Sequence, residues 1–117
     1  MLRPSAAALM LCFALALPAN ADTRPSDCRG IPWCGCWLRH QFGLTDKRLN
    51  QARQWAKLRP RVAGPCIGCV AVFAHSHVGI MTGYGRKPGM AIIKSGNDGG
   101  RVRERERSIR NVIAWVK

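Results

Sequence analysis

The sequence predicts an α+β domain in which two N-terminal helices pack on a four- to five-stranded antiparallel sheet. Two observations carry this reading. Apolar residues between positions 33 and 58 recur at helical spacing, whereas those between 69 and 116 fall in short runs separated by Gly, Pro and Asn turns. At 117 residues the chain has room for one small domain. Its hydrophobic content of 47% is too high for a disordered basic tail, and its long apolar run is confined to the N-terminus. A multispan membrane protein, a collagenous chain and a multidomain enzyme are excluded.

The first helix is expected over 33–42. Pro32 precedes its first turn, Trp33, Trp37 and Leu38 share a side, and Gly43 is the stop. The second is expected over 46–58, capped by Thr45 or Asp46, with Leu49, Ala52, Trp55 and Ala56 as its apolar stripe and Arg59-Pro60 as its end. Strands follow over 69–74, 77–83, 90–95, 102–106 and 112–116, read as a meander. Gly85-Arg86-Lys87-Pro88-Gly89 forms a hairpin loop between two of them, and Asn97-Asp98-Gly99-Gly100 forms the next turn.

Residues 1–21 read as an address. Arg3, a twelve-residue apolar stretch over 6–17 and Ala19-Asn20-Ala21 have the order of a signal peptide cleaved after Ala21. The stretch is well short of the roughly 20 residues of a spanning helix. The mature protein is therefore expected to be secreted or periplasmic, without a transmembrane segment, with a lead-in over 22–32 and the domain over 33–117. Of six cysteines, Cys12 leaves with the leader. Cys28, Cys34, Cys36, Cys66 and Cys69 remain, an odd number that implies two disulfides and one free thiol, with the pairing open.

Cys34 falls in the first turn of the first helix, where unpaired N–H groups and the helix dipole favour an anion. Its thiol is expected to ionise below the ordinary cysteine value, as a nucleophile requires; the competing reading makes it half of a bridge. Cys36 faces another side and suits a disulfide. A hairpin loop symmetric about Lys87 places His77 directly opposite Asn97, so that Asn97 can orient the imidazole. The competing reading has Asn97 merely opening a turn.

Pro32-Trp33-Cys34-Gly35-Cys36, Ala52-Arg53-Gln54-Trp55, the run 68–73, His77-Val78-Gly79-Ile80 and Ser95-Gly96-Asn97 occur in an order that resembles the small CHAP-type domains (cysteine, histidine-dependent amidohydrolase/peptidase). These are relatives of the NlpC-type cell-wall hydrolases. The resemblance spans roughly 28–117. It implies a papain-like fold, no cofactor, Cys34 as nucleophile, His77 as general base and Asn97 as orienter, acting on amide bonds of peptidoglycan.

Two other readings compete. Cys66-x-x-Cys69 with His75-x-His77 could supply four zinc ligands, whereas His40, rotated away from Cys34 on its helix, reads as a surface histidine. The net charge of +13 falls to +12 without the leader's single arginine, and Arg101, Arg103, Arg105 and Arg107 line one side of a strand. Such a strand is expected to be solvated and to discourage edge pairing. Its charge also suits an anionic envelope polymer, and a monomeric cationic binding protein without catalysis is the alternative function. No aromatics interleave the arginines, and export argues against a nucleic-acid partner.

Overall fold

The computed structural model describes residues 22–117, so the leader read over 1–21 lies outside the described residues. Helix α1 (Cys34–Gln41) is short and mostly wrapped: Cys34, Gly35, Cys36, Trp37, Leu38 and Arg39 are buried. Gly43, at φ 65°, ends it in the left-handed conformation a glycine adopts without cost. The N–H of Gly43 then reaches the His40 carbonyl at 3.1 Å, and that of Leu44 reaches Arg39 at 3.0 Å, satisfying carbonyls of the last turn.

The second expected helix is broken. Asp46 does cap a turn, accepting from the Arg48 N–H at 3.0 Å, but that turn is a 3-10 segment, Lys47–Asn50. The chain extends at Gln51 and recoils as helix α2 (Gln54–Leu58). A continuous helix would give the Leu49 carbonyl to the Arg53 N–H. Here that oxygen accepts a 2.7 Å bond from the indole of Trp55 instead, so that Leu49 and Trp55 both enter one core. The backbone of Leu49 and Asn50 also lies so close to Gly35 that a Cβ there would collide with both carbonyls. The turn and α1 are locked together by that contact.

Five strands follow: β1 (Val70–Phe73), β2 (His77–Tyr84), β3 (Met90–Ser95), β4 (Arg103–Ser108) and β5 (Val112–Val116). They form one antiparallel sheet in the order β4-β3-β2-β1-β5. The expected meander holds for β1 to β4, but β5 crosses back to pair with β1 and leaves β4 as an edge. Val116 and Ala114 thereby fill the core under α2, which a strand at the far edge could not reach.

Side-chain alternation separates two cores. On the helix-bearing face, Val70, Val72, Val78, Ala114 and Val116 meet Trp33, Trp37, Leu38, Leu49 and Trp55. On the other, Ala71, Phe73, Met81, Ala91 and Ile93 are covered by Ile109, Val112 and Trp115. Two disulfides, Cys28–Cys36 and Cys66–Cys69, tie the lead-in to α1 and close the loop before β1. They are the covalent staples of a fold suited to an oxidising environment. No helix among the described residues is long and apolar enough to cross a membrane.

Candidate functional site

With four cysteines bridged, Cys34 is the free thiol of the described chain, as the odd count required. It opens α1 and is only 3% exposed. The thiol donates to the Ser76 carbonyl across 3.8 Å and receives the Val78 N–H, so it rests on the backbone on either side of His77. Beside it lies a cavity of about 530 Å³ lined by Ile31, Pro32, Ala52 and Ser76, with Lys47 and Arg53 at its polar wall. The expected low thiol pKa is not what this environment produces. Burial pushes the Cys34 thiol above its ordinary value, and the amides of Val78, Gly35 and Cys34 itself, which favour the thiolate, do not outweigh it.

His77 begins β2 opposite Phe73 and shares its side of the sheet. Its ring lies 6.0 Å from that of Phe73 and stacks on His75 at 6.0 Å, interplanar angle 5°. Near His77 the hairpin keeps the expected symmetry, with Ile80 facing Lys94 and Met81 facing Ile93; a bulge shifts the register only toward the loop. Yet Nε2 bonds Ser95 Oγ at 2.8 Å rather than Asn97. β3 ends at Ser95, and Gly96 after it passes close beneath the indoles, where a Cβ would stand 2.7 Å from that of Trp37. Asn97 then turns the chain at φ 55°, and the Asp98 N–H closes on Arg101. Gly79 makes the Ser95 contact possible, since a side chain there would crowd the Ser95 Cβ.

The groups around His77 come from the arginine strand, which is not simply solvated. Arg105 grips the Asp98 carboxylate through Nε (2.7 Å) and a terminal nitrogen (2.9 Å). Arg107 lies 4.9 Å over the Phe73 ring, and one of its terminal nitrogens is buried without a hydrogen-bond partner. Burial, and then the Arg107 charge, lower the His77 pKa to about 4, Asp98 opposing them. The Arg105 hydrogen bonds in turn hold Asp98 below the usual carboxylate range. At neutral pH thiol and imidazole are both uncharged. No hydrogen bond joins them among the described residues; Nε2 is held by Ser95, and Nδ1 is able to take a proton in the tautomer in which Nε2–H donates to the Ser95 hydroxyl.

Cys34 thus rests on the backbone of Ser76 and Val78, while the side chain of His77 between them lies on the Phe73 side of the sheet and Asn97 is outside the ladder. Ser95 was legible as the diagonal cross-strand neighbour of His77. Arg105 and Arg107 were not, because an alternating Arg-Glu strand reads as exposed on both sides, and Asp98 was not, because it reads as a turn residue. The four zinc-ligand candidates do not gather either: Cys66 and Cys69 are joined to each other and His77 is held by Ser95. No family model, no curated protein and no solved structure matches this chain.

Proposed function

We propose that the protein is an exported thiol amidohydrolase of papain-like, CHAP-type design, acting on amide bonds of peptidoglycan. One observation carries the reading: the free cysteine opens a buried helix at the wall of a cavity and rests against the backbone that bears His77. In this mechanism the Cys34 sulfur attacks the amide carbonyl as its proton passes to Nδ1 of His77. The protonated imidazole then delivers that proton to the leaving amine, and water resolves the thioester. Ser95, rather than Asn97, orients the imidazole. The pair is neutral at rest, so substrate binding has to bring Nδ1 onto the thiol; catalytic hydrogen bonds often tighten only in the complex. Lys47 and Arg53 on the cavity wall favour a substrate bearing carboxylates, as stem peptides do.

Mature wild type is expected to release soluble fragments and new amino groups from purified peptidoglycan, and Cys34→Ala none, with an unchanged circular-dichroism spectrum. Equal lysis by the two proteins overturns the assignment. A second reading, a cationic envelope-binding protein without catalysis, is favoured by the raised thiol pKa and by the commitment of Nε2 to Ser95. It predicts salt-sensitive binding to the polymer that Cys34→Ala leaves intact, with no product from either protein.

A further inference from the structure

The Cys28–Cys36 bridge does not stand alone. Asp27, Cys28, Cys36 and His40 present one carboxylate oxygen, two sulfurs and one imidazole nitrogen that all lie within 4.8 Å of one another. The convergence has a local cause. Cys36 and His40 are four apart on α1 and project from one side of it. Asp27 and Cys28 arrive together on the 3-10 turn Ser26–Cys28. His40 Nε2 is 2.8 Å from Asp27 Oδ1, and Cys28 Sγ is 3.9 Å from the same oxygen. A disulfide staple needs only its two cysteines. It does not need an imidazole and a carboxylate, paired with each other, within 4.8 Å of both sulfurs.

We propose that, with this disulfide reduced, Asp27, Cys28, Cys36 and His40 form a tetrahedral site for a zinc ion, separate from the Cys34 site and independent of the thiol-hydrolase reading. Two thiolates, one neutral imidazole and one carboxylate are an ordinary zinc ligand set in kind and number. The charges also close. Two thiolates and a carboxylate around Zn²⁺ leave one negative charge, and Arg39 supplies the positive one. Its guanidinium is nearly buried, 3.3 Å from Asp27 Oδ2 and 3.8 Å from Cys36 Sγ. It is held there by bonds to Asn50 (2.8 Å) and the Leu44 carbonyl (3.0 Å). In the oxidised state its terminal nitrogen also bonds Cys36 Sγ and lies 3.4 Å from His40 Nε2; in the metal-bound state that nitrogen gives way to the ion and keeps Asp27 Oδ2 as its outer contact.

The chemistry balances with a dithiol reductant of the thiol–disulfide exchange class. The reductant passes two electrons and two protons to the Cys28–Cys36 bond and becomes a disulfide itself. Zinc then displaces the two thiol protons, forming two Zn–S bonds. Oxidation reverses both steps and expels the ion, so site and staple are alternative states of one place in the fold.

The test uses the mature protein reduced with a phosphine, freed of reductant and titrated anaerobically with cobalt(II) and then zinc. One equivalent of cobalt is expected to give tetrahedral ligand-field bands with a thiolate-to-cobalt charge-transfer band, bleached by one equivalent of zinc. His40→Ala is expected to weaken binding by at least the roughly 10- to 100-fold that even outer-shell partners are worth. Cys28→Ser/Cys36→Ser is expected to abolish it, and Cys66→Ser/Cys69→Ser to leave it unchanged. If the reduced protein loses its fold, zinc is expected to restore the circular-dichroism spectrum in wild type and not in His40→Ala. Binding indifferent to His40, binding that survives loss of Cys28 and Cys36, or the absence of tetrahedral bands overturns the proposal.

Discussion

The two faces of the sheet bury their residues to similar extents by different chemistry. On the helix-bearing face three tryptophans and a set of valines form the core, and the single thiol placed there is driven toward its neutral form by burial. On the other face the apolar core ends at Phe73, where Arg107 covers the ring and a network of Asp98, Arg105, His75 and His77 takes over. There too the titratable group is held neutral, but a neighbouring cation adds to the effect of burial. The difference teaches that a shared resting state, both partners uncharged, has two origins that separate substitutions can pull apart.

The largest effect is expected on the helix face. Trp37→Ala removes a fully buried indole that α1 packs on the sheet and should cost about 3–5 kcal/mol in urea unfolding. A loss under about 1 kcal/mol would mean that this core is not what holds α1 in place.

Next comes a pH dependence that belongs to the other face. Above about pH 6.5 the imidazole is neutral in both folded and unfolded chains. As the pH falls, the unfolded histidine takes up a proton while folded His77 does not until about pH 4. Stability therefore declines through that window, by about 3 kcal/mol for this one group. His77→Gln should flatten that part of the profile; an unchanged slope would assign it elsewhere. Ser95→Ala, which removes the partner of Nε2, should cost about 1 kcal/mol. It should also lower the pH-independent kcat of any hydrolysis more than it raises KM, because a misoriented base affects the chemical step.

The smallest change in stability is expected at the most highly charged position. Arg107→Met replaces a partly desolvated cation, whose buried nitrogen makes no hydrogen bond and only a long 3.7 Å ion pair to Asp98, by an apolar chain over Phe73. It should alter stability by less than about 1 kcal/mol, since the ion pair lost is long, Asp98 keeps its two bonds to Arg105, and the methionine refills the place over Phe73. The His77 pKa, followed by NMR, should rise, because Arg107 is one of the causes holding it down. An unmoved titration would leave burial, with the smaller effects of His75 and Arg105, as the cause.

Much of the architecture was readable from local pattern. The runs 90–95 and 112–116 coincide with β3 and β5, Gly43 stops α1 as a left-handed glycine, and the hairpin keeps its expected symmetry beside His77. Each depends on residues within a few positions of one another, so composition and period suffice. The odd cysteine count likewise required one free thiol, though only the fold chose Cys34 and paired Cys28 with Cys36.

Tertiary contacts decided the rest. The second helix broke because the Trp55 indole took the Leu49 carbonyl, and β5 moved beside β1 to fill the core beneath α2. Asn97 lost its place opposite His77 as β3 ended at Ser95 and the chain turned at Asn97 in the left-handed conformation, next to a Gly96 pressed against Trp37. Both proton affinities turned on what distant segments pack against a group: apolar burial raised the thiol where a helix N-terminus alone would have lowered it, and the β4 arginines helped lower the histidine. Sequence periodicity records how a side chain is placed relative to its own element. Its solvation and its neighbours are set by whichever other elements close over it, and only the folded chain contains that information.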